Sequence, residues 1–140
     1  MCIRDRIANG FDIELRLPDG PTSITGDRDA LTNALWNLLD NAVKYSPTHR
    51  IVWVDVDHRD QEIEIRVRDH GLGIPASEQR AVFDKFVRGT TAKVEGIAGT
   101  GIGLAMVRHI VDAHGGSVTL ESAPGAGSTF TVRLPAAEAA

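Results

Sequence analysis

The residues best suited to chemistry lie in two glycine-rich turns, one row of amides and one misplaced carboxylate. Gly99-Thr100-Gly101-Ile102-Gly103-Leu104 carries three glycines at alternate positions. Their backbone N–H groups lack Cβ shielding and can come close to an anion. The segment Ile102 to His114 follows, almost free of breakers and rich in Leu, Ala, Met, Val and Ile, and predicts a largely buried helix. A glycine turn at a helix N-terminus is a phosphate seat, because unpaired N–H groups and the positive end of the dipole point the same way. The dipole alone contributes only ~0.3–1 kcal/mol, so several donors must converge. Taken alone, the cluster fits an ordinary helix start after a loop equally well.

A second helix is predicted from about Arg28 to Tyr45, with Asp27 as its N-cap. Leu31, Ala34, Leu35, Leu38, Leu39, Ala42 and Val43 form its apolar face. Asn33, Asn37, Asn41 and Lys44 lie on a neighbouring stripe, within about a quarter of the circumference at ~100° per residue. Asn is a mediocre helix former, so three in register require either a solvated face or a role. The role would be a row of amides and one ammonium facing a polyphosphate and its metal. Pro47 ends the helix.

The carboxylate is Asp69. In the predicted strand Glu62 to Asp69, residues Ile63, Ile65 and Val67 point one way and Asp69 continues their parity. A carboxylate on the core side needs a donor, since an unpaired buried charge costs several kcal/mol. The exocyclic amine of a bound base would serve, and so would a strand-end role capping the next turn. That turn, Asp69-His70-Gly71-Leu72-Gly73-Ile74-Pro75, loosely matches a dinucleotide fingerprint through Gly71, Gly73 and Ala76. Pro75 and the short polar stretch behind it do not supply the long helix that such a unit requires. No Gly-Lys-Ser/Thr of a Walker A loop occurs.

These groups must be positioned by strands and helices of one domain, for which 140 residues suffice. Phe11, Ile13, Leu15 and Leu17 alternate as a half-buried strand, Pro18 to Pro21 turns, and Thr22 to Thr25 is a candidate short strand. Ile51 to Asp57 and Glu62 to Asp69 read as a hairpin about Arg59-Asp60. Ala81 to Arg88 is a short amphipathic segment, and the small, polar run Gly89 to Ala98 has the composition of a lid. Gly115-Gly116 caps the last helix. Ser117 to Glu121 and Ser128 to Leu134 are strands about a Pro124–Gly127 turn, with Phe130, Val132 and Leu134 inward. Residues 1–6 are set apart as a leader or non-native end, 7–135 form the domain, and 136–140 are a frayed tail.

A net charge of −4 leaves no basic excess for a nucleic-acid backbone. The single cysteine, Cys2, excludes an internal disulfide and a cysteine metal cluster. No apolar run reaches membrane-spanning length and no signal peptide is visible.

The ordered motifs resemble the ATP-binding catalytic domain of sensor histidine kinases, within the gyrase, heat-shock chaperone, histidine kinase and mismatch-repair ATPase superfamily. Asn37-Leu-Leu-Asp-Asn41-Ala-Val-Lys44-Tyr45 matches the N box, and Asp69-His-Gly71-Leu-Gly73-Ile74 the G1 box. Phe83-Asp-Lys-Phe86-x-Arg88 matches the F box, and Gly99 to Leu104 the G2 box. Gly125-Ala-Gly127-Ser-Thr129-Phe130 matches the last glycine box. Each is weak alone; five in order are specific.

The resemblance implies an α/β (α+β) two-layer sandwich of the Bergerat type: a mixed, mostly antiparallel sheet with helices on one face and ATP between the long helix and the lid. It places Asp69 against the adenine amino group, with Thr129 supporting the same base and Tyr45 and Ile74 packed near it. It assigns Mg²⁺ to Asn41 with Asn37 beside it, and phosphates to Lys44 and Arg88. Gly71 and Gly73, Phe86 of the F box, and Gly99, Thr100, Gly101, Gly103 and Leu104 of the G2 box complete the nucleotide site. His70 stands where many relatives carry Asn.

Hydrolysing members of the superfamily carry a Glu one turn before the metal Asn, as a base for water. Here that residue is Asn37, which disfavours water activation and favours phosphoryl transfer, with Asn37, Asn41 and Lys44 as the catalytic set. His49, His58, His70, His109 and His114 are followed by Arg, Arg, Gly, Ile and Gly, whereas an acceptor histidine of this family is typically followed by an acid. The resemblance therefore implies an acceptor on a helical dimerisation domain outside this chain and a response regulator receiver domain downstream. It further implies a cytoplasmic domain without direct membrane contact, the inner membrane being a candidate anchor for the parent. An ATP-hydrolysing clamp, a serine-kinase relative and a non-catalytic nucleotide sensor are the alternatives.

Overall fold

The computed structural model describes residues 2–7, 11–18, 23–44, 51–79, 81–83 and 103–137. Strands β1 (Cys2–Ile7) and β2 (Phe11–Arg16) pair antiparallel. Helix α1 (Arg28–Lys44) then carries the chain to β3 (Ile51–Arg59), which runs parallel to β2. A parallel neighbour requires such a crossover. The sharp turn at Asp60, with φ of 53°, folds β4 (Glu62–Asp69) antiparallel onto β3. Two 3-10 turns, Ala76–Glu78 and Ala81–Phe83, precede helix α2 (Gly103–Ala113). Strands β5 (Ser117–Ala123) and β6 (Gly127–Pro135) complete one six-stranded sheet of order β1-β2-β3-β4-β6-β5.

Both helices lie on one face of this sheet, so the two-layer α/β sandwich expected from the sequence is the fold. The core sits between the layers. Leu38 of α1, Val107 and Val111 of α2, and Val52, Val67 and Phe130 of the sheet are fully buried. Phe83 meets Phe130 edge-to-face, with ring centroids 6.0 Å apart, and so belongs to this core. Asp27 caps α1, its Oδ1 accepting the Ala30 N–H at 3.1 Å. The N–H groups of Gly115 and Gly116 close the end of α2 on the Asp112 and Val111 carbonyls.

Three local expectations change. Ser23, Ile24 and Thr25 form no strand; Ile24 packs on the core, and Ser23 gives its carbonyl to the Ala137 N–H at 2.8 Å. Ala136 donates to the Gln61 carbonyl at 2.8 Å, so residues 136 and 137 are tied down rather than frayed. Cys2–Ile7, which runs from the segment set apart as a leader into the domain, is the edge strand of the sheet. Among the described residues, no helix is long and apolar enough to cross a membrane.

Candidate functional site

Strand alternation places Ile63, Ile65, Val67 and Asp69 on the helix-covered face, and all four are buried. Asp69 is 2% exposed. The chain turns immediately after it, and the Gly71 N–H folds back to donate to Asp69 Oδ1 at 2.8 Å, the geometry of an Asx turn. Burial pushes the carboxyl from 3.8 up to about 6, while backbone hydrogen bonds from Gly71 and Ser128 pull against that rise. Both partners are neutral. The acid therefore serves as the turn cap considered from the sequence and still holds a charge that no described cation offsets.

Glycines set the walls around it. Gly127 has φ of 80°, and a Cβ there would run into the Asp69 carbonyl oxygen. Gly73 has φ of 75°, and a Cβ there would run into the Ala123 carbonyl. The two turns thus interlock, and the Gly125 N–H donates to the Leu72 carbonyl at 2.8 Å. Ser122 of β5 joins them. Its Oγ accepts from the Ile74 N–H at 2.7 Å and donates to the Gly127 carbonyl at 2.9 Å. Gln79 adds bonds from its side-chain nitrogen to the carbonyls of Ile74 and Ser122.

Ser128 lies directly across the ladder from Asp69 and is 5% exposed. Its Oγ is 2.8 Å from Ser122 Oγ. Because the Gly127 carbonyl can only accept, the single Ser122 proton goes there, and Ser128 donates to Ser122. Ser128, its proton so engaged, stands as a second oxygen acceptor across the ladder from the Asp69 carboxylate. Strand parity puts Ser128, rather than the Thr129 assigned from motif position, on the Asp69 side of the sheet. Along β6, Ser128 shares the buried parity of Phe130 and Val132, and alternation turns Thr129 to the opposite face with Thr131 and Arg133. The parity argument that singled out Asp69 would also have found Ser128; Ser122 left no comparable signal in the sequence. Ile74 is buried. His70 packs against Trp53 in a tilted arrangement, with ring centroids 4.6 Å apart and the planes at 45°.

On α1 the amide stripe passes from exposed Asn33 to half-buried Asn37 and Asn41. Asn37 lies on the seam with α2, its amide nitrogen 3.8 Å from Met106 Sδ. Lys44 is the last residue of α1, Gly103 the first of α2, and Leu104 is half-buried beside it. The site therefore lines up a sheet floor of acceptors, a helix stripe of amides and the N-terminus of a second helix. Tyr45, Phe86, Arg88, Gly99, Thr100 and Gly101 lie outside the described residues. No cluster of three His, Cys, Asp or Glu able to hold a metal occurs among the described residues.

Two helices on one face of the sheet, with Asp69 buried on that face, define a two-layer α/β domain with a candidate nucleotide site. A family model described as histidine kinase-, DNA gyrase B-, and HSP90-like ATPase matches residues 26–138, and the chain belongs to that family. The sensor-like histidine kinase SenX3 of Mycobacterium tuberculosis is 43% identical over 131 residues, covering 92% of this chain and 32% of that protein. WalK of Bacillus subtilis, a sensor histidine kinase, is 40% identical over 121 residues, covering 85% and 20%. Among solved structures, the mycobacterial sensor histidine kinase MprB superposes with a TM-score of 0.76 at 32% identity, covering 91% of this chain and 84% of that one. Full-length ShkA in complex with AMPPNP gives 0.78 at 29% identity, covering 91% and 26%. The fold and motifs are those of the ATP-binding domain of sensor histidine kinases. The chain spans about a third or less of the length of SenX3 and WalK.

Proposed function

We propose that this domain binds Mg²⁺–ATP and presents the γ-phosphate to a histidine on a helical dimerisation domain of the same full-length protein, from which it passes to an aspartate on a response regulator receiver domain. The observation that carries the reading is Asp69, a carboxylate at 2% exposure that has, among the described residues, backbone partners only. Such a group is a costly core residue and a good acceptor for the adenine amino group. Ser128 supplies a second acceptor beside it.

The amide oxygens of Asn41 and Asn37 are hard donors, and Mg²⁺ takes one or two protein oxygens together with phosphates and water. That donor set fits the metal, which Asn41 with Asn37 would hold and whose chemistry would be to neutralise charge developing on the phosphates. Lys44 and Arg88 are assigned to phosphates. The absence of a Glu at position 37 leaves no base for water on that turn, which supports transfer over hydrolysis. The domain works on the cytoplasmic side, with ATP, the dimerisation domain and the receiver as its partners and no nucleic acid or membrane contact of its own.

The test is a titration of ATP, with and without Mg²⁺, into the wild-type chain and Asp69→Asn. The domain is then mixed with a separate acceptor hairpin and γ-labelled ATP. Label on histidine is the expected outcome. Free phosphate in its place would indicate a hydrolase, and binding without transfer a sensor.

A further inference from the structure

The two helices are pinned together at the end remote from the phosphate residues, and the pin is a histidine. His114, just beyond α2, presents Nδ1 to the Ile110 carbonyl at 2.7 Å and accepts the Asp27 N–H on Nε2 at 3.0 Å. A carbonyl only accepts, so Nδ1 carries the proton and Nε2 the lone pair. Asp27 is the N-cap of α1. Its carbonyl accepts from Leu31 at 3.0 Å and its Oδ1 from Ala30 at 3.1 Å. The N-cap's own N–H is ordinarily satisfied by a Glu or Gln at the third helical position, completing a capping box. Here that position is Ala30, which has no acceptor, and His114 supplies it from the other helix. Gly26 makes the approach possible: a Cβ there would collide with Cδ2 of the His114 ring.

The seam runs antiparallel from this pin. Asp27 meets His114 at one end, and Asn37 meets Met106 further along. Four residues on from Asn37 is Asn41, and three residues back from Met106 is Gly103. At a rise of ~1.5 Å per residue they lie about 6 Å and about 4.5 Å beyond the Asn37–Met106 contact. The pin thus fixes the register in which the amide stripe of α1 faces the N-terminus of α2.

We propose that His114 is a positioning residue for the phosphate end of the nucleotide site: by completing the cap of α1 from α2, it holds Asn41 and the start of α2 in the relation that triphosphate and metal require. The inference rests on the nucleotide reading above and concerns only the phosphate half of that site. The adenine half is built on β4, β5 and β6 and does not use the pin.

The experiment is to measure the affinities of Mg²⁺–ATP and of adenosine for the whole chain in wild type, His114→Ala, His114→Gln and Gly26→Ala. Loss of the pin should weaken ATP about tenfold, the scale of one lost cap, while adenosine stays within about twofold. Gln can place an amide oxygen near the Nε2 position and should restore most of the ATP affinity. Gly26→Ala keeps both partners but displaces the ring, and should behave as His114→Ala; it carries the test if the latter does not fold. An ATP-to-adenosine ratio equal to that of wild type in these variants, whatever their melting temperature, overturns the proposal. So does a parallel loss of both ligands. A wild-type chain with no preference for ATP over adenosine would instead overturn the nucleotide reading itself.

Discussion

Strand β4 carries two partly or wholly buried carboxylates that face opposite sides of the sheet, and the protein treats them differently. Glu64, on the face away from the helices, is held by Arg66 Nη1 at 2.5 Å and Arg133 Nε at 3.3 Å. Arg66 also reaches Asp57 at 2.6 Å, and Arg16 pairs with Asp55 at 3.0 Å on the same face. Asp69, five residues further along and more deeply buried, meets only backbone N–H groups among the described residues. A chain that surrounds one carboxylate with arginines and leaves its neighbour to neutral donors has closed one electrostatic site and left the other incomplete. Glu64 belongs to the stability of the sheet. Asp69 works against that stability, as expected of a group kept for the ligand proposed above.

The sharpest way to break this contrast is Asp69→Asn. An acid raised from 3.8 to about 6 costs folding ~3 kcal/mol when ionised. We therefore expect the empty domain to gain stability at neutral pH, by up to that amount in denaturant titrations, while ATP affinity falls at least tenfold. Lost stability would place Asp69 with Glu64 as a structural group.

The same shift fixes a pH dependence. The contribution of Asp69 to stability is present below the unfolded value near 4 and is lost as pH rises through about 6. Over that window the folded state of the ligand-free chain binds more protons than the unfolded one, so stability should decline between pH 4 and 7 relative to Asp69→Asn. ATP, which favours the ionised carboxylate, should release protons on binding near pH 6, measurable by calorimetry in buffers of different ionisation enthalpy.

On the closed side, Arg66→Ala removes contacts to Asp57 and Glu64. It should lower stability by about 1–2 kcal/mol and leave ATP affinity within about twofold. The finest comparison is between neighbours on β6. Ser128→Ala should weaken ATP roughly fivefold, about 1 kcal/mol, whereas Thr129→Val, on the opposite face, should change it by less than about twofold. Equal effects of the two would restore Thr129 to the site.

The contrast was half legible in the sequence. The alternation of Ile63, Ile65 and Val67 assigned Asp69 to the core, because strand periodicity is a local property. The amide stripe of α1 and the glycine spacings were equally local, and the order of the motifs led to the family. Arg66 and Glu64 showed only an outward parity. Their pairing with Asp57 and Arg133 depends on β3 and β6 flanking β4, a choice of sheet order that no single segment encodes. Motif position points to Thr129 and strand parity to Ser128, and parity decides which face a side chain reaches.

By itself the sequence determined the elements, their buried faces, the helix caps and the acid in the core, since each follows from periodicity or from one residue's own chemistry. Tertiary structure decided what those groups meet. It set Ser128 beside Asp69, joined Ser122 to both glycine turns, gave Glu64 its arginines and brought His114 to the cap of α1 across 87 residues of chain. A hydrogen bond between distant residues depends on the packing of whole layers, and that packing is a property of the assembled core rather than of any stretch within it.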